Sequence, residues 1–540
     1  MPSLRLRALS ASLLVVFAAG GLSACTVGTT SRVEPDGTSA PEPAPSTAHG
    51  QPNPGSDAVA TVTQERVDAA VAALPGYIKT VMDASGVPGL SVAVVYQGKT
   101  VLTAGYGVRS VETGQPIDAD TVFQLASLSK SVGATVVARE VDRGTVTWDT
   151  PLVKNLPDFA LADPWVTKHV TIADMYTHRS GLPDHAGDDL EDLGYNRTQI
   201  LQRLRQVPLS TFRVDPYYTN FGLTAAAESV AKAAGLDWAE LSDRDLYEPL
   251  GMTSTSSRVD DYLARDNRAV PHVPVDGKWG VTTQQRRPDA QSAAGGVSSS
   301  AADMAAWMKF VLADGSVDGK PVVAAKALIP AITGQFVSST PKSADARPGV
   351  RGYGFNVGTT PGGLTSLSHS GAFALGTGTA FTMLPGPDLG ITVLTNGMAV
   401  GAAESVAAQF MDLAQFGSPR QDWWPLFQSV FVPIMGPVGE LVGETAPANP
   451  AAAKGLASYA GVYRNSYYGK ATVTVVGDHL ELRIGPSAVV WPLRHWDGDV
   501  FTYAPYNESA PLGSIGQVTF RGSSLVVELL DKHDMGTFTR

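Results

Sequence analysis

The sequence predicts an α+β protein of two folded units, and three observations carry that reading. A helix-spaced segment is followed by paired apolar runs, a long helical stretch and further apolar runs, the order of a split sheet flanked by helices. A Pro-, Gly- and Ala-rich shift over residues 435–453 ends that unit. Beyond it, short strand runs alternate with turns to residue 540, the pattern of a small all-β, barrel-like domain. A chain of 540 residues is also too long for one ordinary core.

The first 24 residues stand apart. Arg5 and Arg7 give a positive start, and residues 13–19 form an apolar run too short for a comfortable membrane span, so the segment reads as a secretion signal. Leu22-Ser23-Ala24 leads into Cys25 and resembles a bacterial lipobox, which implies a lipid on Cys25 and attachment to the bacterial cell membrane from outside the cytoplasm. Cys25 is the single cysteine, so no internal disulfide can form. Residues 25–60 are rich in Pro, Ser, Thr, Gly and Ala and cannot bury enough surface to offset ordering; they read as a tether. The first folded unit then spans residues 61–434, with 435–453 as a linker and 454–540 as the β domain. The net charge of -11 lacks the basic clustering that nucleic acid requires.

Within the first unit, Val67, Ala70, Val71 and Leu74 have helical spacing until Pro75-Gly76 interrupts, and Ile78, Val81 and Met82 continue the face. Residues 90–96 and 101–106, joined by Gln97-Gly98, read as a hairpin, and 390–395 as another strand. In the tail the strand runs are 471–476, 480–484, 489–492, 518–520 and 525–530.

Three short motifs carry chemistry. Ser127-Leu128-Ser129-Lys130 follows an apolar segment and opens a helical run. That places the hydroxyl and the amine one turn apart, at a helix end that favours negative charge. The same spacing recurs at Ser229/Lys232, inside an apparent helix, and at Ser339/Lys342, in a polar proline-containing loop; both read as chance. Tyr218-Thr219-Asn220 is the second motif. A phenol is a poor base unless a neighbouring ammonium favours its ionised form, so Lys130 and Tyr218 would titrate as a pair, and the sequence does not say which holds the proton. His369-Ser370-Gly371, the third, suits a strand edge where glycine permits close approach to a ligand. There is no Gly-x-Ser-x-Gly elbow and no His-Glu-x-x-His, so neither an α/β-hydrolase nor a catalytic metal is implied, and no cofactor.

In this order, Ser-x-x-Lys, Tyr-x-Asn and His-x-Gly resemble the class C β-lactamase and D-alanyl-D-alanine carboxypeptidase family of serine hydrolases. Gly86-Val87-Pro88-Gly89, His178-Arg179-Ser180-Gly181-Leu182, Pro249-Leu250-Gly251-Met252 and Gly295-Gly296-Val297 extend the likeness across residues 62–431. The resemblance implies a β-lactamase/transpeptidase-like fold with Ser127 as nucleophile, Lys130 as its activating neighbour and Tyr218 as general base. Asn220 would contact the substrate amide or orient Lys130. His369 and Gly371 would line the substrate site, and the N–H groups of Ser127 and Ala372 would form an oxyanion hole. His369 stands where many relatives have the lysine of a Lys-Thr-Gly triad, so its charge near pH 6–7 is expected to govern carboxylate-bearing substrates.

The tail, through Tyr459-Ala460-Gly461-Val462-Tyr463, Tyr468-Gly469, His495-Trp496 and Phe501, resembles the lipocalin-like β domain of some members. Together these readings give an exported, lipid-anchored hydrolase of a small-molecule or peptide amide or ester. The alternative is a catalytically idle protein that binds penicillin or cell-wall peptide.

Overall fold

The structure, a computed structural model, describes residues 60–341 and 343–540; the proposed leader, Cys25, all but the last residue of the tether, and Lys342 lie outside them. Helix α1 (Gln64–Ser85) is capped by the Thr63 hydroxyl and closed by Gly86 at φ 68°. It runs unbroken through Pro75 because that residue lies on the exposed face, where the carbonyl that loses its N–H partner is free to meet water, while Leu74 and Ile78 stay buried. The expected interruption at Pro75-Gly76 is therefore absent.

Strands β1 (Gly89–Tyr96) and β2 (Lys99–Gly107) form the expected hairpin. With β3 (Phe336–Ser339), β4 (Gly349–Arg351), β5 (Asn356–Thr359), β6 (Thr365–Phe373), β7 (Thr377–Leu384) and β8 (Leu389–Thr395) they make one antiparallel sheet, ordered β2-β1-β8-β7-β6-β5-β4-β3. Ser339 thus ends a strand rather than lying in a loop. Strand β1 is apolar on both faces because both are covered. Val92 and Val94 pack with α1 and Phe410 of helix α6 (Ala402–Phe416), while Ala93 and Val95 join the core around helix α2 (Leu128–Asp142) and helix α5 (Ala301–Leu312). The sequence between β2 and β3 supplies the helical layer, including the short helix α3 (Asp188–Asp192) and helix α4 (Asn220–Ala234).

The C-terminal unit is a closed antiparallel barrel of eight strands: β9 (Gly461–Asn465), β10 (Gly469–Val476), β11 (His479–Ile484), β12 (Val489–Asp497), β13 (Val500–Tyr503), β14 (Gly516–Arg521), β15 (Ser524–Val527) and β16 (Thr537–Thr539). Pairing of Arg464 with Thr539 closes it. Tyr459, Tyr463, Phe501 and Phe520 fill one region of its core edge to face. The run 525–530 splits into β15 and a 3-10 turn, Glu528–Leu530. Residues 435–453, expected as a linker, run along the barrel: Val438 exchanges bonds with Ser514 and Ile515, and the Glu440 N–H donates to Glu528.

Candidate active site

Ala126, fully buried, sits at φ 48°, a left-handed turn that alanine rarely adopts. It delivers Ser127 to the cap position of α2, yet the Ser127 side chain caps nothing in the helix. The hydroxyl is instead taken by two partners. Lys130 Nζ lies 3.1 Å from Ser127 Oγ, and the Tyr218 hydroxyl donates to it at 2.8 Å. Lys130 is wholly buried and also bonds Asn220 Oδ1 at 2.7 Å and the Ala294 carbonyl at 2.8 Å. Asn220 Nδ2 in turn donates to Asp188 at 2.8 Å, and Asp188 bonds His185 Nδ1 at 2.8 Å. Of the two roles expected for Asn220, the structure displays the contact that orients Lys130.

Tyr218 is set by its surroundings. Its N–H donates to Asp184, the next N–H, of Thr219, donates to His178 Nδ1, and the His178 ring lies 4.5 Å from the phenol ring. Burial dominates the ionisation of the whole cluster. It holds the Lys130 amine well below the usual lysine range, with Asp188 opposing and Arg351 assisting. Burial also raises the Tyr218 phenol above its ordinary value, against the hydrogen bond to Ser127 and the charge of Arg351. The expectation that a lysine charge draws the phenol down is therefore reversed: Lys130 is the group shifted toward neutrality.

Strand β6 brings the third motif alongside. Strand β5 pairs with it only from Thr365 to Ser368, so the edge beyond is open. Gly371 is required there, since a Cβ would stand 2.3 Å from both the Leu125 carbonyl and Thr379 Oγ1, and 3.1 Å from the Ser127 nitrogen. Ser127, His369 and Ala372 all line one cleft of about 300 Å³. His369 is buried, its Nδ1 bonded to the Ser370 carbonyl at 2.7 Å, and burial plus the nearby Lys130 lower its pKa to about 3. The imidazole is neutral across the physiological range, which overturns the titration near pH 6–7 expected from sequence.

Four residues of the cleft escaped sequence reasoning. Arg351, at the end of β4, is buried against Tyr218 and forms no ion pair within 4 Å among the described residues. It sits in a Gly-rich stretch without periodicity, so nothing in the sequence marked it. Asp188 belongs to an acidic run that reads as a solvated face. Glu508 and Lys532 come from the barrel and line the same cleft as Ser127. Conversely, Ser229 is buried inside α4 and accepts a bond from Asn155, far from any such cluster.

Comparison with known proteins places this geometry. The Beta-lactamase family profile matches residues 74–416, and one for a domain of unknown function, DUF3471, matches 445–524. An unguisins hydrolase from Aspergillus campestris is 27% identical over 40% of this chain and 48% of its own. The esterase EstB from Burkholderia gladioli is 32% identical over 30% of this chain and 45% of its own; the chain thus spans about half the length of these curated relatives. The solved penicillin-binding protein homologue from Pyrococcus abyssi shares the fold, with a TM-score of 0.58 at 19% identity over 87% of this chain and all of that one. With the family profile covering well over half of its residues, the chain belongs to the β-lactamase family.

Proposed function

We propose that this protein is an exported, lipid-anchored serine hydrolase that opens an amide or ester bond through an acyl-enzyme on Ser127. The observation that carries the reading is the position of Ser127 Oγ between Lys130 Nζ at 3.1 Å and the Tyr218 hydroxyl at 2.8 Å. A neutral lysine amine has two N–H donors and one lone pair. Asn220 Oδ1 and the Ala294 carbonyl take the two donors, which leaves the lone pair for the Ser127 proton. Lys130 accepts that proton as Oγ attacks the carbonyl carbon, and Tyr218, a neutral phenol, donates to the developing negative oxygen. The proton held on Lys130 is returned to the departing amine or alcohol as the C–N or C–O bond breaks. The N–H groups of Ser127 and Ala372 serve the carbonyl oxygen. Arg351 supplies a fixed charge for a substrate carboxylate. An esterase and a hydrolase among the relatives support the reaction class.

Attachment is proposed through Cys25 on the strength of the Leu22-Ser23-Ala24-Cys25 sequence that follows the apolar run. The test of the nucleophile is labelling with a fluorophosphonate and with a penicillin. Wild type, Ser229→Ala and Ser339→Ala should form an adduct with at least one of them, and Ser127→Ala should form none. An adduct that survives Ser127→Ala overturns the assignment. Failure of wild type to react with either reagent favours the idle binding protein.

A further inference from the structure

The cleft at Ser127 does not end where the first unit ends. Asp192, Val438, Ser509 and Lys532 line it and also line a second cavity of about 480 Å³ between the barrel and the helical layer. The barrel is fastened across this passage by two bonds: the Ser509 N–H to Asp192 at 3.0 Å and Lys532 Nζ to Asp189 at 3.0 Å. Beyond the passage the walls are apolar. Leu193 of the first unit faces Trp491, Tyr503 and Leu530 of the barrel, all four buried, and the Trp491 and Tyr503 rings stack at 4.5 Å. A cavity of this size falls in the range that holds a small organic group, and its apolar lining is rigid because each wall residue is packed from behind.

We infer that the two cavities form one bipartite site, in which the reacting carbonyl lies at Ser127 while a neutral apolar group of the same substrate, an alkyl chain or an aromatic ring, fills the cavity against the barrel. This rests on the proposed hydrolase reading and deepens it by naming the substrate class. The occupant is neutral because the charged groups of the lining, Asp189, Asp192, Glu440, Glu528 and Lys532, are already paired or bonded to protein partners, leaving apolar surface as the main binding element within. The barrel is thereby a specificity element: without it the cavity has one wall.

The apolar group can reside on the acyl or on the leaving side, and three esters separate these cases. Methyl acetate, methyl hexanoate and benzyl acetate are compared by pH-stat titration of released acid. One of the two enlargements should raise kcat/KM at least tenfold over methyl acetate, since each buried methylene is worth up to about fourfold. Val438→Trp, at an exposed position in the passage, should cut that preference at least tenfold; Ala510→Leu, inside the second cavity, should do the same by filling it. No gain from either enlargement, or a gain that both variants leave intact, overturns the inference. Should no ester be turned over, calorimetry with Ser127→Ala protein decides the question separately from the hydrolase reading. Tighter binding of methyl hexanoate or benzyl acetate than of methyl acetate, lost with Val438→Trp, sustains the bipartite site, and equal binding refutes it.

Discussion

The guanidinium of Arg351 lies 5.5 Å from the centre of the Tyr218 ring, inside the cleft that holds Ser127 and His369. A cation stacked on an aromatic face and free of carboxylate partners within 4 Å, among the described residues, is a permanent positive charge waiting for an anion. The same charge adds to burial and Lys130 in keeping His369 neutral. We therefore propose that recognition of a substrate anion, expected of His369 from its place in the motif, falls to Arg351.

The first prediction follows. The preference for a carboxylate-bearing ester over its neutral analogue should stay flat from pH 5 to 8, because His369, with a pKa of about 3, does not titrate there. Arg351→Met should lower that preference about 10- to 100-fold, the value of a charged hydrogen bond, and Arg351→Lys should restore part of it. A preference that rises between pH 7 and 5 and ignores Arg351→Met would return the role to His369.

Lys130 gives the second. An amine whose charged form burial disfavours costs stability wherever the unfolded chain binds a proton that the folded one does not. Its folded pKa lies below the unfolded one, so native stability rises with pH up to the ordinary lysine value of about 10.4. Lys130→Met keeps the volume and removes the burden. It should abolish turnover, by about 10³-fold or more, and raise stability near pH 7. Denaturant midpoints across pH check this. A less stable Met variant would show that the three hydrogen bonds to Nζ outweigh the desolvation.

How far the sequence reached can be traced through these residues. Ser127 and Lys130 were legible because a short-range spacing at a helix start imposes their geometry, whereas Tyr218, 91 residues beyond Ser127, and Asn220, 90 beyond Lys130, were legible only through the order of motifs that resembles the family. The hairpin β1–β2 and five barrel strands were legible because their apolar runs have strand length and end in turns. Arg351 was not, because its burial depends on β4 being an inner strand of the sheet, a long-range pairing that no local pattern encodes. Glu508 and Lys532 were hidden for the same reason: a charged residue in a loop reads as solvated until another domain closes over it. His369 was found but given a titration near pH 6–7, since spacing reveals neighbours in sequence and not the depth of burial that lowers its pKa.

The third prediction concerns location. Cys25→Ser should release the protein from the membrane fraction into the extracytoplasmic soluble fraction, whereas wild type should carry acyl mass on Cys25 in mass spectra of membrane extracts. Equal partitioning of the two, with unmodified Cys25, removes the lipid anchor from the proposal.

The last prediction tests the contact between barrel and first unit at Glu508. Its carboxyl accepts the Ala374 N–H at 2.9 Å and the Leu375 N–H at 3.4 Å, and stands 3.8 Å from Arg286. Burial pushes its pKa up from 4.5 to about 8, against the pull of Arg286 and the Ala374 N–H and with the help of Asp192. The folded protein therefore holds a proton that the unfolded chain releases near pH 4.5. The stability linked to that proton is fully present below pH 4.5 and is lost as pH rises through 8. Glu508→Gln keeps a carbonyl oxygen for the Ala374 N–H, gives up the second oxygen that the Leu375 N–H reaches at 3.4 Å, and cannot ionise. Wild type and variant should match at about pH 5, and the variant should gain on wild type by roughly 4 kcal/mol by pH 9. Hydrogen exchange of the Ala374 amide should slow in the variant over the same range, because that donor keeps its acceptor and reports the contact directly. Wild type becoming the more stable form above pH 8 would mean that ionised Glu508 and Arg286 close into a full ion pair, and that charge pairing rather than a shared proton holds the barrel at this point.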